Sequence, residues 1–218
     1  LHYDEIKNPE AQILNGNVQF RHNGATLYCD SAYFYEASNS FEAFGKVRMV
    51  QGDTLTLVSK YAFYDGNEQM AEARHEVVLT HRRQKLYTDS LNYDRLYNIG
   101  YFFEGGKLVD GNTTLTSDWG EYHTDTRMAV FNYNVRLRDK KMLLTGDTLY
   151  YDTGKSLAHA VGPSVIKSGA STINTEDGYY NTKTEQSEMY GRSVMNDGGK
   201  TLIGDSVYHD SKKDISEA

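Results

Sequence analysis

The residues with the clearest potential for chemistry stand in columns. Acids occur at Asp30, Asp89, Asp118, Asp147, Glu176 and Asp205, and Lys60 takes the one remaining place in the series. Four residues after each comes Phe34, Tyr64, Tyr93, Tyr122, Tyr151, Tyr180 or His209. A column of acids could hold a ladder of cations. A column of tyrosines could stack sugar rings, wall a lipid trough, or simply pack one side of a core. Spacing argues against cations: equivalent residues two strands apart are separated by roughly 9–10 Å, whereas oxygen ligands lie about 2.3–2.6 Å from a calcium ion. Lys60 would not serve a metal either. Carboxylates that accept backbone N–H bonds at a strand bend fit better.

Other chemistry is sparse. The histidines (His2, His22, His75, His81, His123, His159, His209) fall at different phases and show no ligand spacing, so surface or turn positions are expected. Cys29 stands alone, and its equivalents Ser59, Thr88, Ser117, Gly146, Thr175 and Gly204 indicate a site for a small side chain rather than a reactive thiol. Nucleophile-elbow, P-loop and dinucleotide motifs are missing. The expectation is no catalytic residue, no metal and no cofactor.

What positions these columns is a repeat. An aliphatic residue returns at Leu27, Leu57, Leu86, Leu115, Leu144, Ile173 and Leu202, at intervals of 30 and then 29 residues. The template is L-x-x-D-x-x-x-Y, often followed by Asp or Asn, and such fixed periodicity marks a stack of one small unit. The period varies by one residue, which leaves no room for long loops that would carry catalysis. Composition agrees: 39% hydrophobic residues point to a narrow core, and 18 Tyr with 19 Gly but 2 Pro is a β-rich profile. The net charge of −7 argues against nucleic acid and a polybasic membrane anchor. No stretch has the length of a membrane span, and no signal peptide is visible at Leu1.

Each repeat reads as two strands. The first carries G-x-V, as at Gly16-Asn17-Val18 and Gly45-Lys46-Val47, with a weaker copy at Gly191. Turns follow at Asn23-Gly24, Gly52-Asp53, Gly111-Asn112 and Gly198-Gly199, and a second turn, such as Asp65-Gly66-Asn67, leads to the next unit. Leu and Tyr of the template are seven residues apart. An odd spacing puts them on opposite faces of a straight strand, so burying both requires a bend or bulge near the acid. The first-strand glycines can supply the matching bend. The fold class expected is therefore all-β: an elongated, bent antiparallel stack, solenoid-like, of 29-residue two-strand repeats spanning residues 1–218 as one domain. Tyr3-Asp4 resembles the tail of a preceding unit, and the chain stops after His209-Asp210 before the next strand. A piece of a longer array, or ends that stack on something else, is expected.

The run G-N-V-x-F-x-x-N-G-x-x-L-x-x-D-x-A beginning at Gly16 resembles the OstA-like (organic solvent tolerance) family, which includes periplasmic lipopolysaccharide-transport proteins of the LptA type. Similar sequence recurs at Gly45–Tyr64, Leu86–Asp94 and Leu144–Asp152. The resemblance implies a bent β-jelly-roll open at both ends, located in the periplasm after removal of an export signal, with association at the outer membrane. It implies shielding of the acyl chains of lipopolysaccharide (lipid A), and partners in other transport components or copies of itself joined end to end. Ligand contacts would then come from inward residues: Val18, Phe20, Val47, Met49, Leu57, Leu86, Leu115, Val135, Leu137 and Leu144. The chain departs from the pattern at Lys60, at Gly105-Gly106-Lys107-Leu108, where the fourth G-x-V shifts by about two residues, and in its many tyrosines. A structural or adhesive rod whose core is filled by those tyrosines is the alternative, and a carbohydrate-active solenoid ranks third.

Overall fold

Each repeat closes into a hairpin because its polar residues fit two different turns. The computed structural model describes residues 2–3, 11–22, 24–213 and 215–218, with side chains for 11–21, 24–213 and 215–218. Asp4 and Asn23, on which two of the expectations rest, lie outside the described residues. The chain forms two compact units, Leu1–Gly106 and Lys107–Ala218.

The first unit runs β1 (His2–Tyr3), β2 (Gln12–His22), β3 (Ala25–Tyr35), β4 (Ser40–Gln51), β5 (Leu55–Asp65), β6 (Met70–His81), β7 (Gln84–Asp94) and β8 (Ile99–Phe102). Each strand pairs antiparallel with the next. The second unit carries β9 (Gly106–Asp110), β10 (Thr113–Ser117), β11 (Trp119–His123), β12 (Met128–Asp139), β13 (Met142–Asp152), β14 (Leu157–Ser168), β15 (Ser171–Asn181), β16 (Gln186–Asp197), β17 (Lys200–Asp210) and β18 (Ile215–Glu217). From β12 onward the same antiparallel succession holds, with β10 and β11 both paired to β12. The shifted G-x-V falls where the first strand of the fourth repeat breaks into β8 and β9, at Gly105 with φ 84°.

The bend demanded by the odd Leu-to-Tyr spacing is present. In β2 and β3, Asn15 pairs with Ser31 and Val18 with Cys29, so Gly16 and Asn17 stand opposite Asp30 alone. That is a bulge of two residues against one, and it reverses which face is buried. Gly16 and Asn17 have φ of 79° and 50°, Gly45 and Lys46 72° and 45°, and His75 and Glu76 64° and 55°. Inward residues accordingly change from Leu27 and Cys29 to Ala32 along β3. The sheet folds over along this line, bringing the far halves of the strands face to face. Phe20 near the end of β2 stacks on Phe41 at the start of β4, with centroids 4.7 Å apart.

An Asp or Asn after the aromatic column residue closes the second turn in five of the repeats. The Oδ1 of Asp65 accepts from the N–H groups of Asn67 and Glu68 at 2.9 and 3.0 Å. Asp94, Asp152, Asn181 and Asp210 repeat this two and three residues ahead. Burial opposes ionisation of Asp152, but the N–H groups of Lys155 and Gly154 and the Lys155 ammonium outweigh it and hold the carboxyl below its usual range. Successive turns are also tied together, as Gly66 N–H donates to Asn39 O at 3.0 Å and Thr182 N–H to Ser156 O at 2.9 Å. The turns thus stack in register, which fixes the repeat length.

Candidate functional site: an apolar trough in the first unit

Register places the leucine column in one unbroken row across the first unit: Phe20, Leu27, Met49, Leu57, Leu79 and Leu86 are successive cross-strand partners. Beyond the bulge a second inward row runs Leu14, Ala32, Ala43, Ala62, Ala73 and Leu91. When the sheet folds, the aliphatic row and the alanine row face each other. Four methyl groups in succession cannot fill the space that larger side chains would occupy. A cavity of about 70 Å³ remains, lined by Phe20, Leu27, Met49 and Leu57 from one leaf and by Phe41, Ala62, Ala71, Tyr64 and Tyr93 from the other.

At the tyrosine edge of this trough stands Arg95, which lines the same cavity. Its Nη1 donates to the Tyr64 hydroxyl at 3.2 Å, and the guanidinium carbon lies 5.9 Å from the Tyr64 ring centroid. Among the described residues no carboxylate pairs with this guanidinium. Glu72, which also lines the cavity, is paired with Arg74 at 2.8 Å.

The second unit follows the same rows with different side chains. Leu115, Leu137, Leu144, Ile166, Ile173, Met195 and Leu202 form its aliphatic row. The facing row reads Phe131, Leu149, Ala160, Gly178, Met189 and Val207, with only two small residues, Ala160 and Gly178, among larger ones. A Cβ on Gly178 would sit 2.4 Å from Met189 Sδ, so the methionine fills the gap that the glycine leaves. Tyr151 and Tyr180 are 1% and 3% exposed. The Tyr151 hydroxyl donates to Asp110 Oδ2 at 3.3 Å, and that of Tyr180 to Asp139 Oδ2 at 3.1 Å. Burial, with the neighbouring carboxylates, pushes both phenols above their ordinary range.

The ten inward residues expected to contact a ligand therefore divide. Phe20, Met49 and Leu57 line the cavity. Val18 and Val47 sit in the core cluster beside it, and Leu86 is buried at the end of the aliphatic row. Leu115, Val135, Leu137 and Leu144 are at most 1% exposed in the second unit. Sequence reasoning missed Phe41, Ala71 and Arg95, and it missed the opening effect of the alanines. The signal for the last was legible, since Ala32 and Ala62 follow the acidic position by two residues, and the second unit carries Leu149 and Gly178 near that phase instead.

The acidic column works at the bulges. Asp89 Oδ1 accepts from Glu76 N–H at 2.9 Å, Asp118 Oδ2 accepts from Asn134 Nδ2 at 2.6 Å, and Asp30 lies 3.7 Å from Lys46 Nζ. Lys60 pairs with Glu76, so the exception to the column is matched by an acid on the neighbouring strand. The expectation of surface or turn histidines is corrected at His209, whereas His159 keeps a surface place on the outer face of its strand. His209 is 4% exposed because it takes a tyrosine-column place, its Nδ1 3.0 Å from Ser216 Oγ. His159 lies within β14, stacked on Tyr179 with centroids 4.1 Å apart.

The family model described as OstA-like protein matches residues 1–147. No curated protein matches the chain. Among solved structures the chain is similar to LptH of Pseudomonas aeruginosa, described as the LptA-homologous periplasmic component of the lipopolysaccharide transport device. The identity is 17% and the TM-score 0.46, over 49% of this chain and 80% of that one.

Proposed function

Because the chain belongs to the OstA-like family, we propose that it is a non-catalytic periplasmic carrier or bridge segment for lipopolysaccharide, sheltering acyl chains in the trough of its first unit. The observation that carries this reading is the alanine row opposite the aliphatic row, which leaves apolar space between two leaves of one sheet. Burial of methylenes there is favourable by about 0.8 kcal/mol each. The unfilled volume of about 70 Å³ takes a short stretch of chain, and a longer one extends along the trough by parting the leaves. Phe20, Met49 and Leu57 would touch the ligand directly, whereas Val18, Val47 and Leu86 would support them. Partners would be further transport components of the same family, or copies of this chain, joined through strand edges.

The alternative expectation, a rod with a filled core, is favoured for the second unit by the buried Tyr151–Asp110 and Tyr180–Asp139 pairs. Leu115, Val135, Leu137 and Leu144 would then be structural. Direct binding of labelled lipopolysaccharide, competed by lipid A and by delipidated polysaccharide, tests the carrier reading. Competition by lipid A alone is expected. Competition by polysaccharide alone, or absence of binding, would overturn it.

A further inference from the structure

The trough is lined mostly by apolar side chains; Gln51 and Glu72 also reach it, Glu72 paired with Arg74, and at the tyrosine edge Arg95 brings a permanent positive charge to the cavity wall. The charge is placed by the turn itself: Arg95 follows Asp94, and its N–H donates to Gln69 O at 3.0 Å, fixing the backbone from which the side chain reaches inward. A guanidinium has five N–H donors, and here one is directed at the Tyr64 hydroxyl. Its other donors are available to a ligand, since among the described residues no carboxylate neutralises it. In a chain of net charge −7, a cation that has no acid partner among the described residues, set beside an apolar cavity, favours anionic ligands.

We propose that Arg95 is the headgroup-recognition residue of the trough, the one that makes it prefer an anionic to an uncharged amphiphile. The acyl chain of the anion lies between the alanine and aliphatic rows while its phosphate or carboxylate oxygens accept from the Arg95 guanidinium. This rests on the carrier reading and adds the chemistry of the end that the apolar rows cannot recognise. Planar, bidentate donation suits both oxyanions. Tyr64 holds the guanidinium at the wall through its hydroxyl, so it is a positioning residue. An uncharged chain of equal length gains the burial but not the charge-assisted bonds.

The test uses the full chain with decyl phosphate, decanoate and decanol, each below its micelle concentration, and compares dissociation constants by calorimetry. The wild-type chain is expected to bind at least one anion about tenfold more tightly than the alcohol. Arg95→Gln is expected to bring that ratio to about one, and Arg95→Lys to leave it intermediate. Preference for decyl phosphate over decanoate identifies a phosphate headgroup, and the reverse a carboxylate. If the alcohol binds as well as either anion, or if the preference survives in Arg95→Gln, the Arg95 assignment is overturned while the carrier reading stands. If none of the three binds, both fall.

Discussion

The Tyr180 hydroxyl donates to Asp139 Oδ2 at 3.1 Å, joining two residues 41 positions apart across the folded sheet of the second unit. Tyr151 and Asp110 repeat the relationship at the same separation. These bonds close the leaves with polar contacts where the first unit leaves apolar space. Removing the hydroxyl leaves Oδ2 of a carboxylate that is 2% exposed without this donor, while Oδ1 keeps Thr113, so Tyr180→Phe should cost about 1–3 kcal/mol. The double variant with Asp139→Leu should recover part of that loss. Urea unfolding of the two single variants and the double one checks this, and additive losses would mean that the bond is unimportant.

The same pairs predict a limit at high pH. Both phenols titrate above their ordinary value of 10.0 in the folded chain. The folded state therefore holds these protons more tightly than the unfolded state, and stability is intact below the unfolded value. It is lost as pH rises from about 10 upward. Stability measured at pH 9, 10 and 11 should fall across that window, and the fall should shrink in the Tyr151→Phe, Tyr180→Phe double variant. An unchanged slope would rule out these phenols as its source.

The bulges make a local prediction. Gly16 and Gly45 share positive φ, 79° and 72°, but a Cβ on Gly16 meets nothing within 4 Å, whereas one on Gly45 lies 2.7 Å from Asp30 Oδ2 and 3.1 Å from its Cβ. Gly16→Ala should cost about 1–2 kcal/mol for the left-handed backbone alone. Gly45→Ala should cost more, and Asp30→Ala should narrow the difference. Equal losses at the two glycines would show that the close approach of Asp30 contributes nothing.

How far the sequence foretells this arrangement can be judged residue by residue. The 29-residue period and the odd Leu-to-Tyr spacing were enough to place two bent strands per repeat, because strand parity admits no other way to bury both columns. The acids at the bend were legible for the same reason. The openness of the interior was not, because Tyr64 and Tyr151 occupy the same column and differ only in what lies across the fold. Tyr151 meets Asp110, whereas Tyr64 lies along the cavity and is joined by Arg95. The first contact joins residues on facing leaves and the second joins a strand end to the turn of the next repeat, and a pattern of neighbours along one strand carries neither.

Ala62 offers the simplest way to close the trough. It is 5% exposed, lines the cavity, and stands between its cross-strand partners Ala43 and Ala73. Ala62→Phe should fill that space and weaken acyl-chain binding at least about tenfold, while overpacking costs about 1–3 kcal/mol of stability. Ala160→Ser in the second unit is the control, expected to leave binding unchanged. Full binding by a folded Ala62→Phe chain would place the ligand elsewhere.

The most direct test of the central claim is to label alanine methyl groups with carbon-13 and measure nuclear Overhauser contacts to the acyl protons of bound lipid A. The account predicts contacts to Ala62 and Ala71 of the first unit and none to Ala158 or Ala160 of the second. Contacts to Ala160, or a bound lipid that touches neither Ala62 nor Ala71, would contradict it.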